Sequence, residues 1–148
     1  MLTLTTLSEA VIQSIAAALS GTTLQDVRVL GGDAAMERPS VKVLLSSASS
    51  RQYNATCRER TLTYKVFFYA RNPLQFNLEN LTMQGILEGA LLAGLTVGGV
   101  YIPVETVSFN MEDTVLTCSF VLTMLETLPD LDTSEITEEL KFKEVNQE

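Results

Sequence analysis

Histidine is absent from the 148-residue chain. That absence removes Ser-His-Asp and Cys-His nucleophilic mechanisms, and ordinary histidine-based zinc sites with them. Cysteine is nearly absent: Cys57 and Cys118 are too few for a disulfide framework or an all-cysteine zinc site. Both fall in or beside segments that read as strands, so buried thiols are expected, with a Cys57–Cys118 bridge as the alternative. Basic charge is scarce. Ten Lys and Arg stand against 18 Asp and Glu, a net of −8 with a pI near 4.5. A general nucleic-acid binder needs a basic footprint, so no direct nucleic-acid specificity is expected. A membrane span is not expected either. Residues 89–104 run without a charge, but Gly94, Gly98, Gly99 and Pro103 interrupt them, and a span needs about 20 apolar residues in one helix. They read instead as a helix end followed by a buried strand. The start, Met1-Leu2-Thr3-Leu4-Thr5-Thr6, has neither the basic nor the apolar region of a secretory signal. The sequons at Asn54 and Asn80 are accordingly read as unglycosylated.

What is present is enough apolar material for one domain: 46% of residues are hydrophobic. A first helix is expected over residues 7–19. Thr6-Leu7-Ser8-Glu9 has the capping-box pattern, Leu7, Val11, Ile15 and Leu19 mark one apolar face, and Gly21 supplies the stop. A short strand over 26–30 ends at Gly31-Gly32. Two long arms of a hairpin follow, 39–45 and 60–70, joined by the polar stretch Ser46-Ser47-Ala48-Ser49-Ser50-Arg51 and its continuation to Arg58. A connection of this length reads as a functional loop, mobile and protease-sensitive in the isolated subunit. A second helix over 78–93 would be capped by Asn77 and stopped by Gly94. Its Gly85, Gly89 and Ala93 form a small-residue ridge, read as packing inside the domain rather than as a dimerisation motif. Strands over 100–109 and 114–125 turn at Asn110-Met111-Glu112-Asp113, and Pro103 restricts its strand to an edge or a bulge. The expected fold is α+β: a mainly antiparallel sheet of four to five strands with two packed helices, in the order α-β-β-β-α-β-β. One domain occupies 1–129 and an acidic tail 130–148. The tail holds seven acids against Lys141 and Lys143. Its 134–145 stretch, opening on Ser134-Glu135, would make a short helix of marginal isolated stability.

Candidate chemistry is thin. Glu112-Asp113 has the oxygen ligands for a divalent cation or an acid–base pair, yet an acidic pair in a hairpin turn is ordinarily just solvated. The glycines at 94, 98 and 99 do not form a phosphate loop. Cys57 lies close in sequence to Arg58 and Arg60, but there is no histidine base to complete a nucleophile. No catalytic, metal or cofactor site is expected. The charge distribution says more. Residues 38–71 carry seven Lys and Arg against Glu59 alone, whereas residues 1–37 and 72–129 carry Arg28 against ten acids. These are net charges of +6 and −9. A solvated hairpin would explain the basic segment; so would head-to-tail association through complementary ends. A heterologous contact of that kind closes into a ring if the rotation allows. Arg51, Arg58 and Arg60 are the leading candidates for the contact.

This order of elements resembles the tail terminator proteins of long-tailed bacteriophages. The resemblance is carried by the 7–19 helix, Arg38-Pro39-Ser40-Val41-Lys42-Val43, Thr61-Leu62-Thr63-Tyr64-Lys65-Val66-Phe67-Phe68-Tyr69 and the 77–93 helix. It implies a non-enzymatic morphogenetic role without catalytic residues or cofactors. A homo-hexameric ring would cap the tube of the major tail tube protein, stop its elongation, and present a surface to the head-side connector or neck protein. The resemblance places it in the virion tail or neck, after assembly in the host cytoplasm. The alternatives are another neck or tail-completion protein, or a small bacterial α+β ligand-binding domain or enzyme. If the ordered domain ends near Pro129, truncation after Leu128 should leave the melting temperature almost unchanged; a large drop would show that the tail docks on the fold.

Overall fold

The computed structural model describes residues 2–127. The expected domain end near Pro129, the acidic extension and its 134–145 helix lie outside the described residues. The elements run α1 (Leu4–Leu19), β1 (Arg28–Gly31), β2 (Ser40–Gln52), β3 (Cys57–Tyr69), α2 (Asn77–Leu92), β4 (Leu95–Val97), β5 (Val100–Ile102), β6 (Val104–Glu112) and β7 (Val115–Thr127). Five strands form one sheet in the order β1-β2-β3-β7-β6; β4 and β5 pair separately. All pairings are antiparallel except β1 with β2. The α+β order with two helices is as the sequence implies, with the small β4–β5 hairpin added.

Helix α1 buries Leu7, Val11, Ile15 and Leu19, the face its i, i+4 spacing marks. It begins one turn earlier than the capping-box pattern suggests. Thr3, in extended conformation, accepts the Thr6 N–H at 3.0 Å. Thr6 is thereby drawn into the first turn and cannot itself cap. Helix α2 begins after Phe76 with no side-chain cap, so Asn77 is its first residue rather than its cap. It buries Asn80, Met83, Leu87 and Leu91. The small-residue ridge is not part of that face. Gly85, Gly89 and Ala93 lie about 200° round the helix from Met83, Leu87 and Leu91, and they are exposed. The reading of the ridge as intradomain packing is therefore overturned. Gly94 does stop the helix: its φ is +84°, and a β-carbon there would run into the Tyr101 ring.

The long polar loop expected between the hairpin arms is strand. Backbone pairing runs from Ser40↔Tyr69 to Gln52↔Arg58, interrupted only by a register shift between Leu45 and Ser47. The connection shrinks to residues 53–56. There Asn54 Oδ1 accepts the N–H groups of Thr56 and Cys57, at 2.9 and 2.8 Å. Side-chain alternation stops at the register shift, which is why the segment reads as loop, but main-chain pairing needs no apolar side chain. The expectation of a mobile, protease-sensitive loop falls with it. The run expected over 100–109 is likewise divided at Pro103 into β5 and β6, and β6 is the sheet's outermost strand, where a neighbouring proline is tolerated.

One face of the sheet meets both helices in a single core. Tyr64 and Phe120 stack there with ring centroids 5.5 Å apart, and the Tyr64 hydroxyl lies 3.0 Å from Ser8 Oγ. Arg71 ties the rim, bonding Asp26 at 2.7 and 3.0 Å and approaching Glu79 at 3.6 Å. That guanidinium holds the Asp26 carboxyl below its ordinary pKa. The exposed ridge generates a stability prediction. A β-carbon at Gly85 or Gly89 meets nothing within 4 Å, so Gly85→Ala and Gly89→Ala should each stabilise the isolated subunit by about 1 kcal/mol through helix propensity. Gly94→Ala should destabilise it, because its φ and its space both exclude a side chain. Denaturant unfolding of the three variants checks both signs.

Candidate functional site

The polar groups that would support catalysis are dispersed. Asp113 and Thr114 form the β6–β7 turn with φ of 48° and 70°, the left-handed pair that a two-residue hairpin demands. Glu112 beside them accepts from Asn110 Nδ2 at 3.2 Å and stays exposed. Gly98 and Gly99, at φ of +57° and +80°, make the corresponding turn of β4–β5. Cys118 is buried and its thiol is pushed up to about 12 by desolvation, far from thiolate chemistry at neutral pH. Cys57 is half-buried, and both cysteines are free, so the alternative bridge does not form. Among the described residues no three His, Cys, Asp or Glu side chains gather to hold a metal, and no described helix is long and apolar enough to cross a membrane. Asn80, one of the two sequon asparagines, is fully buried and donates to the Thr114 carbonyl at 3.2 Å.

What the chain does build is a surface. Strand β3 alternates strictly: Arg60, Leu62, Tyr64, Val66 and Phe68 point to the helices, while Glu59, Thr61, Thr63 and Lys65 face the other way. Neither helix covers this second face. Its rows of Ser and Thr are broken by Leu44, Val121 and Leu125, which are 44%, 42% and 56% exposed. Lys65 stands among them, exposed, and no carboxylate lies within salt-bridge distance of it among the described residues. Residues 72–127 contain six acids and no Lys or Arg; Glu105, Glu112 and Asp113 lie on or beside β6, the edge of the sheet away from β2, whereas Glu126 lies beside Arg58 and Arg60.

The three arginines singled out by sequence share one end of the hairpin but not one face. Arg51, its side chain 71% exposed, lies on the open face and pairs across the strands with Glu59 at 2.9 Å. Arg58 and Arg60 lie on the helix side. Both reach Glu126 Oε2, at 3.6 and 3.3 Å, and Arg60 also donates to the Leu2 carbonyl at 2.9 Å. Arg60 is only 6% exposed. It anchors the chain start and the end of β7 to the middle of the sheet. The residue missed by sequence reasoning is Glu126. Its role follows from the pairing Arg58↔Glu126, and no local signal links positions so far apart in the chain. Beside it a cleft of about 340 Å³ is lined by Leu2, Gly98, Val100, Met124 and Leu125. Among the described residues that line it, Glu126 is the one carboxylate, and it is already paired with the two arginines.

The model of a family described as phage tail terminator protein matches residues 10–134. No curated protein matches the chain. Among solved structures, a chain of the virion of a native gene transfer agent particle is similar, with a TM-score of 0.48 and 14% identity. The alignment covers 80% of this chain and 92% of that one. Since the family match spans well over half of its length, the chain belongs to the phage tail terminator family.

Proposed function

We propose that the protein is a structural, non-enzymatic component of the virion tail. It assembles in the host cytoplasm as a homo-hexameric ring on the tube of the major tail tube protein. There it ends elongation and presents a face to the head-side connector or neck protein. Family membership supports the tail role. The observation that supports the ring is how charge lies on the surface: Arg51 is exposed at the hairpin tip and Lys65 on the face that neither helix covers, while Glu88, Glu105, Glu112 and Asp113 are exposed on α2 and along the β6 edge. Complementary surfaces of this kind favour head-to-tail association, which closes into a ring when the rotation between neighbours allows.

Arg51 is the leading exposed contact of the basic end, with Arg58 beside it. Arg60 serves the same end from inside, by fixing the hairpin to β7. These roles separate by experiment. Exposed pairs contribute only about 0–1 kcal/mol each, so a single reversal does little, and Arg51→Glu with Lys65→Glu is the informative variant. The doubly reversed subunit should fold with unchanged melting temperature yet fail to cap purified tail tubes in low salt, as read by tube length and bound stoichiometry in electron micrographs. Wild-type capping should weaken as salt rises. Capping by the reversed variant at wild-type levels would refute an electrostatic contact on this face.

Arg60 makes a different prediction. Arg60→Met leaves the buried Glu126 carboxylate with Arg58 as its remaining ion-pair partner. It should lower the stability of the isolated subunit by a few kcal/mol, up to about 3–5. Urea denaturation measures this without any assembly partner. An unchanged midpoint would mean that the anchor is dispensable.

A further inference from the structure

Strand β2 is flanked on its outer side by β1 only over residues 40–43. From Leu44 to Gln52 no described strand pairs with that edge. Free edges are normally blunted with proline, bulges or inward charges. After Ser47 this one has none of these: Ala48, Ser49 and Ser50 are small, exposed and unobstructed. Strand β6 is the other outer strand of the same sheet, and it pairs only with β7.

We propose that β2 residues 44–52 of one copy pair antiparallel with β6 residues 104–112 of the next, so that the sheet runs on from subunit to subunit. This deepens the ring reading and rests on it. Three features of the sheet point to a second copy as the occupant. The directions agree: across β2-β3-β7-β6 every pairing is antiparallel, so a neighbour turned about an axis along the sheet brings its β6 antiparallel to β2. The lengths agree as well. The free run of β2 and the whole of β6 are nine residues each.

The register agrees with the charges. In the sheet Val104 lies level with Ala48, through Leu122 and Leu62. β1 blocks residues 40–43, so the incoming strand must be displaced by about four residues. That displacement sets Val104 against Gln52 and the bulged Glu105 against Arg51. A stagger of about four residues over four strands tilts the strands by about 35°, the range found where sheets close on themselves. Arg51 then exchanges its exposed partner Glu59 for a carboxylate on the neighbour.

The test uses the backbone. The Tyr53 N–H bonds the Cys57 carbonyl at 3.0 Å, so by alternation the N–H groups of Ser49 and Arg51 face β3 and those of Ala48 and Ser50 face outward. Ala48→Pro and Ser50→Pro therefore remove outward donors without touching the β3 ladder. Both should give folded subunits with wild-type circular dichroism that fail to cap tail tubes. Ser49→Cys with Ser108→Cys, in a Cys57→Ser background, places thiols opposite each other in the stated register. Within one subunit these positions are separated by two intervening strands. Oxidation on tubes should yield a ladder of covalent oligomers up to the full ring, with at least tenfold more product than either single variant. If rings form with both proline variants and no ladder appears, the edge pairing is wrong while the ring reading stands. If the wild type caps no tubes, the ring reading fails and this proposal with it.

Discussion

The structure depends on β3. It is hydrogen-bonded on both sides over nearly its whole length, to β2 from Tyr69 to Arg58 and to β7 from Phe68 to Cys57. Its inward row of Arg60, Leu62, Tyr64, Val66 and Phe68 forms the floor of the core. Every other feature is placed relative to that strand. The helices cover its inward face, the open face is its outward row extended over its neighbours, and the basic end is its first turn. A strand of this length with one buried face fixes its register strongly, because a slip of one residue would turn each apolar side chain to water.

The buried arginine fits the same logic. Alternation puts Arg60 on the inward face at the point where the helices run out. Burying a guanidinium is costly without a partner. Glu126 on β7 and the Leu2 carbonyl supply partners, and in doing so they draw the start of the chain and the end of the sheet together. The same carboxylate also neutralises Arg58. Of three arginines close in sequence, one thus remains largely exposed. The charge asymmetry that matters for assembly is therefore a property of faces and edges, and counting residues along the chain overstates it.

Much of this was legible in the amino-acid sequence. Leu7, Val11, Ile15 and Leu19 announce their helix and its buried face, and the β3 alternation from Leu62 to Phe68 announces a central strand. Pro103 and Gly94 act where their backbone limits say they must. What was not legible depends on pairing. Ser46-Ser47-Ala48-Ser49-Ser50 has no apolar period, and it becomes strand because β3 offers it a hydrogen-bond ladder. The ridge of Gly85, Gly89 and Ala93 suggests close packing, but Asn80, Met83, Leu87 and Leu91 fix which side of α2 faces the sheet. Glu126 cannot be matched with Arg58 and Arg60 until the register of β7 against β3 is known. The candidate surface was foreseen as a charged segment; its division between two faces was not.

The central claim is that the sheet, through its open face and its edges, is where copies of this protein meet. Amide hydrogen exchange of the free subunit and of the subunit bound to tail tubes tests it most directly. The account predicts that the outward-facing amides of residues 44–52 and 104–112, those of Ala48 and Ser50 among them, exchange freely in the subunit and become at least a hundredfold slower on assembly, with the helices little changed. Protection confined to the exposed face of α2, around Leu78, Leu81 and Gly85, would contradict it and move the contact to the opposite side of the molecule.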